Sequence, residues 1–199
     1  MRVGVAKRSF MTDPHCGDQF GHWRKGKKIT LCIVDGLGHG EDAEKAARAA
    51  IEYVAHHLSA PLQEIFSGCN RHIRNTRGVA MGIAVIDEDE RTLSYAGVGN
   101  TRIKIMRKTS SNPAERETVH LMSDHGIVGG GYRKLSPETL PFGSGDLVFL
   151  HTDGVKELTD VSGYGEALLS DVQRLAEQII VDWGCDTDDA AVLTFSNRV

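Results

Sequence analysis

The chain has 199 residues, 40% apolar and 25% charged, with 22 glycines and a formal net charge of −4. That composition excludes collagen-like, coiled-coil and disordered classes, and the acidic balance speaks against nucleic acid as the main partner. No apolar run approaches the roughly 20 residues that span a bilayer, and the opening MRVGVAKRSF lacks the apolar stretch of a secretory signal. A soluble, cytoplasmic protein with one domain over residues 1–199 is therefore expected.

In chain order, residues 2–8 (RVGVAKR) alternate as a strand does, and Ile29–Val34 (ITLCIV) is a continuous β-branched run that reads as a buried strand. Arg24, Lys25, Lys27 and Lys28 surround Gly26 just before it, either as a solvated hairpin tip or as a binding patch. From Glu41 to Leu58 apolar residues recur at three- and four-residue steps (Ala43, Ala46, Ala47, Ala50, Ile51, Val54), predicting an amphipathic helix. A second helix is predicted from Pro61 to Asn75, with the proline in its first turn.

Val79–Asp87 and Thr92–Val98 flank an acidic turn as a hairpin, and Gly99-Asn100 leads into a strand over Arg102–Met106. Thr109–Glu115 is polar, contains Pro113 and reads as a loop. Thr118–Met122 and Leu147–His151 read as strands, Gly165–Trp183 as one long helix, and Ala190–Phe195 as a closing strand. Because this order lacks strict βαβα alternation, the fold class is α+β, with an antiparallel sheet core and helices outside. Cys16, Cys32, Cys69 and Cys185 have neither zinc-site spacing nor the look of a disulfide framework, and Cys32 and Cys69 fall in apolar patterns as core residues.

The aspartates fall at strand ends. Asp35 follows ITLCIV, Asp153 follows LVFLHT, and Asp188-Asp189 precede AAVLTF. In antiparallel neighbours the C-terminal end of one strand lies beside the N-terminal end of the next, which brings these carboxylates to one sheet edge. Crowded carboxylates repel and raise one another's pKa, a conflict that Mg²⁺ or Mn²⁺ removes by accepting oxygen ligands. The segment Asp35-Gly36-Leu37-Gly38-His39-Gly40 allows close backbone approach to a metal or phosphate, or serves as a plain strand-to-helix turn.

Four ordered pieces carry a family resemblance: Cys16-Gly17-Asp18-Gln19-Phe20, Val34-Asp35-Gly36-Leu37-Gly38-His39-Gly40, His151-Thr152-Asp153-Gly154-Val155 and Asp188-Asp189-Ala190-Ala191-Val192. With Val98-Gly99-Asn100 between them, they resemble the metal-dependent protein phosphatases of type two C (PPM), in the small SpoIIE-like bacterial branch. The resemblance implies two packed antiparallel sheets between helix layers, an αββα sandwich. It implies a binuclear Mn²⁺/Mg²⁺ site in which Asp35 bridges both ions, the Gly36 carbonyl binds one, Asp153 and Asp188 hold the other, and Asp18 acts directly or through water. Catalysis is thereby assigned to Asp18, Asp35, Asp153 and Asp188, with Asp189 in support.

The implied reaction is hydrolysis of phosphoserine or phosphothreonine on a signalling partner. The short chain, with no attached sensor domain, is similar to the branch members that act on stressosome scaffold proteins in bacterial stress response. Two other readings stay open: a catalytically silent binding protein of the same fold, and a hydrolase of small phosphoesters. The phosphate-orienting arginine of larger relatives has only Arg8 as an upstream candidate. His39 is read either as an acid for the departing seryl oxygen or as a loop residue bonded to a carboxylate, and His151 as structural. Lys7 and Arg8 are read either as facing the acidic site or as surface charge.

Overall fold

A computed structural model describes residues 3–108 and 116–197. Two five-stranded sheets face each other. One has the order β1 (Val3–Arg8), β12 (Ala190–Ser196), β11 (Leu147–His151), β6 (Arg102–Lys108), β7 (Arg116–Leu121). The other runs β10 (Glu138–Pro141), β5 (Thr92–Val98), β4 (Val79–Asp87), β3 (Lys28–Gly36), β2 (Asp18–Lys25), and every pairing within the two is antiparallel. A short ribbon of β8 (Gly126–Ile127) and β9 (Gly131–Tyr132) lies apart. Helices α1 (Glu41–His56) and α2 (Leu62–His72) cover the second sheet; α3 (Glu166–Ser170) and α4 (Val172–Trp183) cover the first.

The ITLCIV run is apolar at every position but Thr30 because both faces of β3 are buried. Ile29, Leu31 and Ile33 join Leu150, Leu193 and Phe195 of the other sheet in the inter-sheet core. Cys32 and Val34 point the opposite way, against Ala46, Ala50 and Phe66 of the helices. A third cluster packs Phe149 and Val192 on Leu175 and Ile179 of α4. Strand side chains alternate faces, so each sheet feeds two cores and the α+β sandwich follows.

Most expected elements stand where the sequence puts them, including β4, β5 and β11 at both ends. Three differ. The helix expected over Gly165–Trp183 is broken at Asp171, whose backbone (φ −102°, ψ 89°) leaves the helical region while its side chain accepts the Arg174 N–H at 3.2 Å as an N-cap. Pro61 is the N-cap of α2 rather than part of its first turn. Asp35 and Gly36 are the last residues of β3 and do not follow it. The strand β2 and the short β8, β9 and β10 are additions, and the loop expected at 109–115 lies outside the described residues. All four cysteines are free thiols.

Candidate active site

The acidic residues converge where the two sheets meet. In the β2–β3 hairpin Asp18 is the direct cross-strand partner of Asp35. On the other sheet β11 and β12 are antiparallel, with His151 opposite Val192. The turn after β11 and the segment before β12 therefore share one end, which holds Asp153, Asp188 and Asp189. At this end the chain needs a glycine at 36: a Cβ there would lie 2.2 Å from the Ala43 carbonyl oxygen, so its absence lets α1 sit against the strand.

Hydrogen bonds tie the two sheets together through these side chains. The Thr152 hydroxyl donates to Asp18 Oδ2 at 2.5 Å and accepts the Ala191 N–H at 2.9 Å. Asp189 accepts the Gly17 N–H on Oδ2 and the Phe10 N–H on Oδ1, both at 2.7 Å, holding the segment that leads into β2. Asn100 Nδ2 donates to Asp153 Oδ2 at 2.6 Å, and Asp188 Oδ1 accepts the Asp189 N–H at 2.8 Å.

The electrostatics are those of a crowded anionic cluster. Asp18 is 2% exposed, and burial together with the Asp35 charge pushes its carboxyl well above the usual range, against the opposing hydrogen bond from Thr152. Burial and the Asp153 charge push Asp35 up to about 7. Burial also raises Asp188, with Asp153 and Asp189 adding to it and His39 opposing. An open cavity of about 490 Å³ leads to Asp35, lined also by Asn100, Arg102, Met122, Ser123 and His125.

A model of the family described as Stage II sporulation protein E (SpoIIE) matches residues 25–196. The chain belongs to the SpoIIE family. Asp18 lies just upstream of the matched span, while Asp35, Asp153, Asp188 and Asp189 fall within it. The phosphoserine phosphatase RsbX of Bacillus subtilis (strain 168) is 29% identical over 140 residues, covering 70% of this chain and 67% of RsbX. A chain solved in work on the bacterial stressosome, as a modular system adapted to control secondary messenger signalling, superposes with a TM-score of 0.85. It is 28% identical, and 97% of each chain is covered. A crystal structure of RsbX in complex with magnesium shares the fold at a TM-score of 0.81 and 22% identity, covering 96% of this chain and 92% of the other.

Within this SpoIIE-family fold, all four predicted aspartates and Gly36 sit at the shared end of the sandwich. The Arg8 guanidinium donates to the Cys185 carbonyl at 2.5 Å and pairs with Asp186 at 3.3 Å. Lys7 reaches Gln19 at 3.3 Å. His39 is exposed and forms no hydrogen bond to a carboxylate among the described residues; its ring lies 5.9 Å from that of Phe10. His151 is fully buried with Nδ1 on the Thr152 carbonyl at 2.9 Å, and burial lowers its pKa to about 4, which fits a structural, neutral imidazole. Sequence reasoning missed Thr152 and the amide of Asn100. Thr152 lies beside Asp153 and Asn100 inside a turn signal, but their bonds to other segments leave no local pattern.

Proposed function

We propose that this chain is a phosphoserine and phosphothreonine protein phosphatase that works with Mn²⁺ or Mg²⁺, two ions held by Asp18, Asp35, Asp153, Asp188 and the Gly36 carbonyl. The observation that supports this most is the facing pair of buried Asp18 and half-buried Asp35 beside Asp153 and Asp188, with the carboxyls of Asp18, Asp35 and Asp188 raised above their ordinary pKa. Four carboxylates and a carbonyl form an all-oxygen donor set of the kind hard divalent cations take. Among the described residues no three His, Cys, Asp or Glu side chains form a ready metal cage. Thr152 engages only Oδ2 of Asp18 and Asn100 only Oδ2 of Asp153, which leaves carboxylate lone pairs of both for an ion. When bound, the ions would supply an acidified water as nucleophile and offset charge on the phosphoryl oxygens.

The protein's own part is positioning. Asn100 and Thr152 hold the carboxylates of the two sheets at fixed places before an ion arrives. Arg102, on the wall of the 490 Å³ cavity, anchors the Asn100 carbonyl at 2.9 Å and pairs with Glu157 at 3.4 Å. It is the guanidinium beside the acidic cluster, in place of Arg8. The cavity mouth, with Met122 65% exposed, presents an apolar and cationic rim to a phosphorylated side chain.

The similarity to RsbX and to the stressosome structure supports a phosphorylated stressosome-type scaffold protein as partner, in the cytoplasm. Among the described residues no helix is long and apolar enough to cross a membrane. Contacts made away from the reacting phosphate raise efficiency by positioning it, so a folded phosphoprotein should react much faster than p-nitrophenyl phosphate. The test follows phosphate loss by intact mass after incubation with Mn²⁺. Release from Ser/Thr phosphoprotein, none from phosphotyrosine peptides and silence in EDTA are expected. Full turnover in EDTA, or no action on any folded Ser/Thr phosphoprotein, would overturn the reading.

A further inference from the structure

The basic hairpin tip borders a second cavity. At the end of β2 and β3 remote from the aspartates, a cavity of about 440 Å³ opens between the sheet and the chain joining α1 to α2. Thr30 on β3 is the cross-strand partner of both Trp23 on β2 and Val85 on β4, and the three form its sheet wall. Leu58, Ser59 and Ala60 form the opposite wall. The five-residue steps Asp18 to Trp23 and Thr30 to Asp35 set it about 17 Å from the acidic cluster.

Each wall specifies one property of an occupant. Thr30 is only 4% exposed, lines the cavity, and its hydroxyl has no hydrogen-bond partner among the described residues. The Trp23 indole N–H likewise has none there. The Thr30 hydroxyl opens onto the cavity, so it is available to bond an occupant there. A Cβ at Gly21 would come within 2.2 Å of the Trp23 ring, so the glycine makes room for the indole, which gives the cavity an aromatic lining.

The mouth is cationic. Lys25 and Lys27 have no carboxylate within ion-pair distance among the described residues, Lys25 resting on the Ser59 hydroxyl at 2.5 Å. Lys28 pairs with Asp87 at 3.5 Å, and Asp87 is further occupied by the Asp89 and Glu90 N–H groups at 3.1 Å each. Asp89, also on the mouth, is the one opposing charge left over. The volume lies in the range of small-ligand pockets, roughly 300–1,000 Å³. We propose that this pocket binds a small anionic ligand built on a flat ring, of mononucleotide size.

The test is titration of the ¹⁵N-labelled full chain with AMP in EDTA, which keeps ligand phosphate off the acidic site. The chain has two tryptophans, and Trp183 is an internal control because its indole N–H is already bonded to the Tyr164 hydroxyl at 3.2 Å. AMP should move the Trp23 indole resonance and leave that of Trp183 in place. Adenosine and inorganic phosphate, used singly, should bind at least tenfold more weakly. Thr30→Val and Lys27→Glu should each weaken AMP at least tenfold, and Asp35→Asn should leave its affinity unchanged. Absence of any Trp23 shift would overturn the proposal, as would binding that survives both pocket variants. So would displacement of the AMP signal by hexaglutamate but not by other mononucleotides, which would mark a docking groove for an acidic protein segment.

Discussion

Asp35 carries the clearest consequence of crowding. Its carboxyl is pushed up to about 7 by burial and the neighbouring Asp153 charge. In the unfolded chain it would titrate near 4. A carboxyl raised on folding contributes stability that is present below the unfolded value and lost as pH rises from about 4 through about 7. The metal-free protein should therefore be more stable to urea at pH 5 than at pH 8, in EDTA throughout. Asp35→Asn should flatten this dependence and stabilise the protein at pH 8 by on the order of 2 kcal/mol, because the neighbouring carboxylates titrate together with it. Unchanged pH dependence in the variant would remove Asp35 from the cluster's electrostatics. Thr152 gives a second test at this scale. Thr152→Val keeps the shape but strips the donor from Asp18 and the acceptor from the Ala191 N–H, and should cost about 1–3 kcal/mol in denaturant unfolding. Thr152→Ser should restore most of it. The aspartates were legible because Asp-Gly and Asp-Asp stand beside apolar runs. Thr152 was not, since its partners are 134 and 39 residues away.

Elements were legible where burial on both faces or helical periodicity left a strong pattern, as in β3, β4 and α1. They were not where the pattern is weak. In β2 only Asp18 is buried and Gly21 contributes no side chain to the pattern, so an edge strand with mixed exposure carries little periodic signal. The expected helix over Gly165–Trp183 failed for the opposite reason. Apolar spacing runs unbroken across Leu168, Leu169, Val172 and Leu175, all in one core, while the backbone between them turns out of the helix. Asp171 decides the matter by capping α4 through the Arg174 N–H. Asp171→Ala should lower stability by about 1 kcal/mol, while Asp171→Asn or Asp171→Ser should be close to neutral. Chemical denaturation of the three variants checks this. An alanine variant as stable as the parent would mean that packing alone sets the break.

At the scale of the molecule, the acidic cluster belongs to neither sheet. Asp18 and Asp35 come from the β2–β3 hairpin, and Asp153 and Asp188 flank the β11–β12 pair. Apart from the inter-sheet core, the two sheets are joined at this end by polar contacts that link carboxylates which repel one another. A cation bound there would replace repulsion between the sheets with shared coordination, so its binding energy is also a clamp on the sandwich. A ligand that binds only the folded state at a hundred times its Kd stabilises by about 2.7 kcal/mol. In a chain of this size each kcal/mol moves the midpoint by roughly 2–4 °C. Mn²⁺ or Mg²⁺ at that excess should therefore raise the thermal midpoint by about 5–10 °C, EDTA should reverse the rise, and a variant with both Asp35→Asn and Asp153→Asn should lack it. The readout is the unfolding temperature and needs no substrate, so it separates ion binding from turnover. A midpoint that ignores both ions, or a rise that persists in the double variant, would place any bound cation away from the end where the sheets meet.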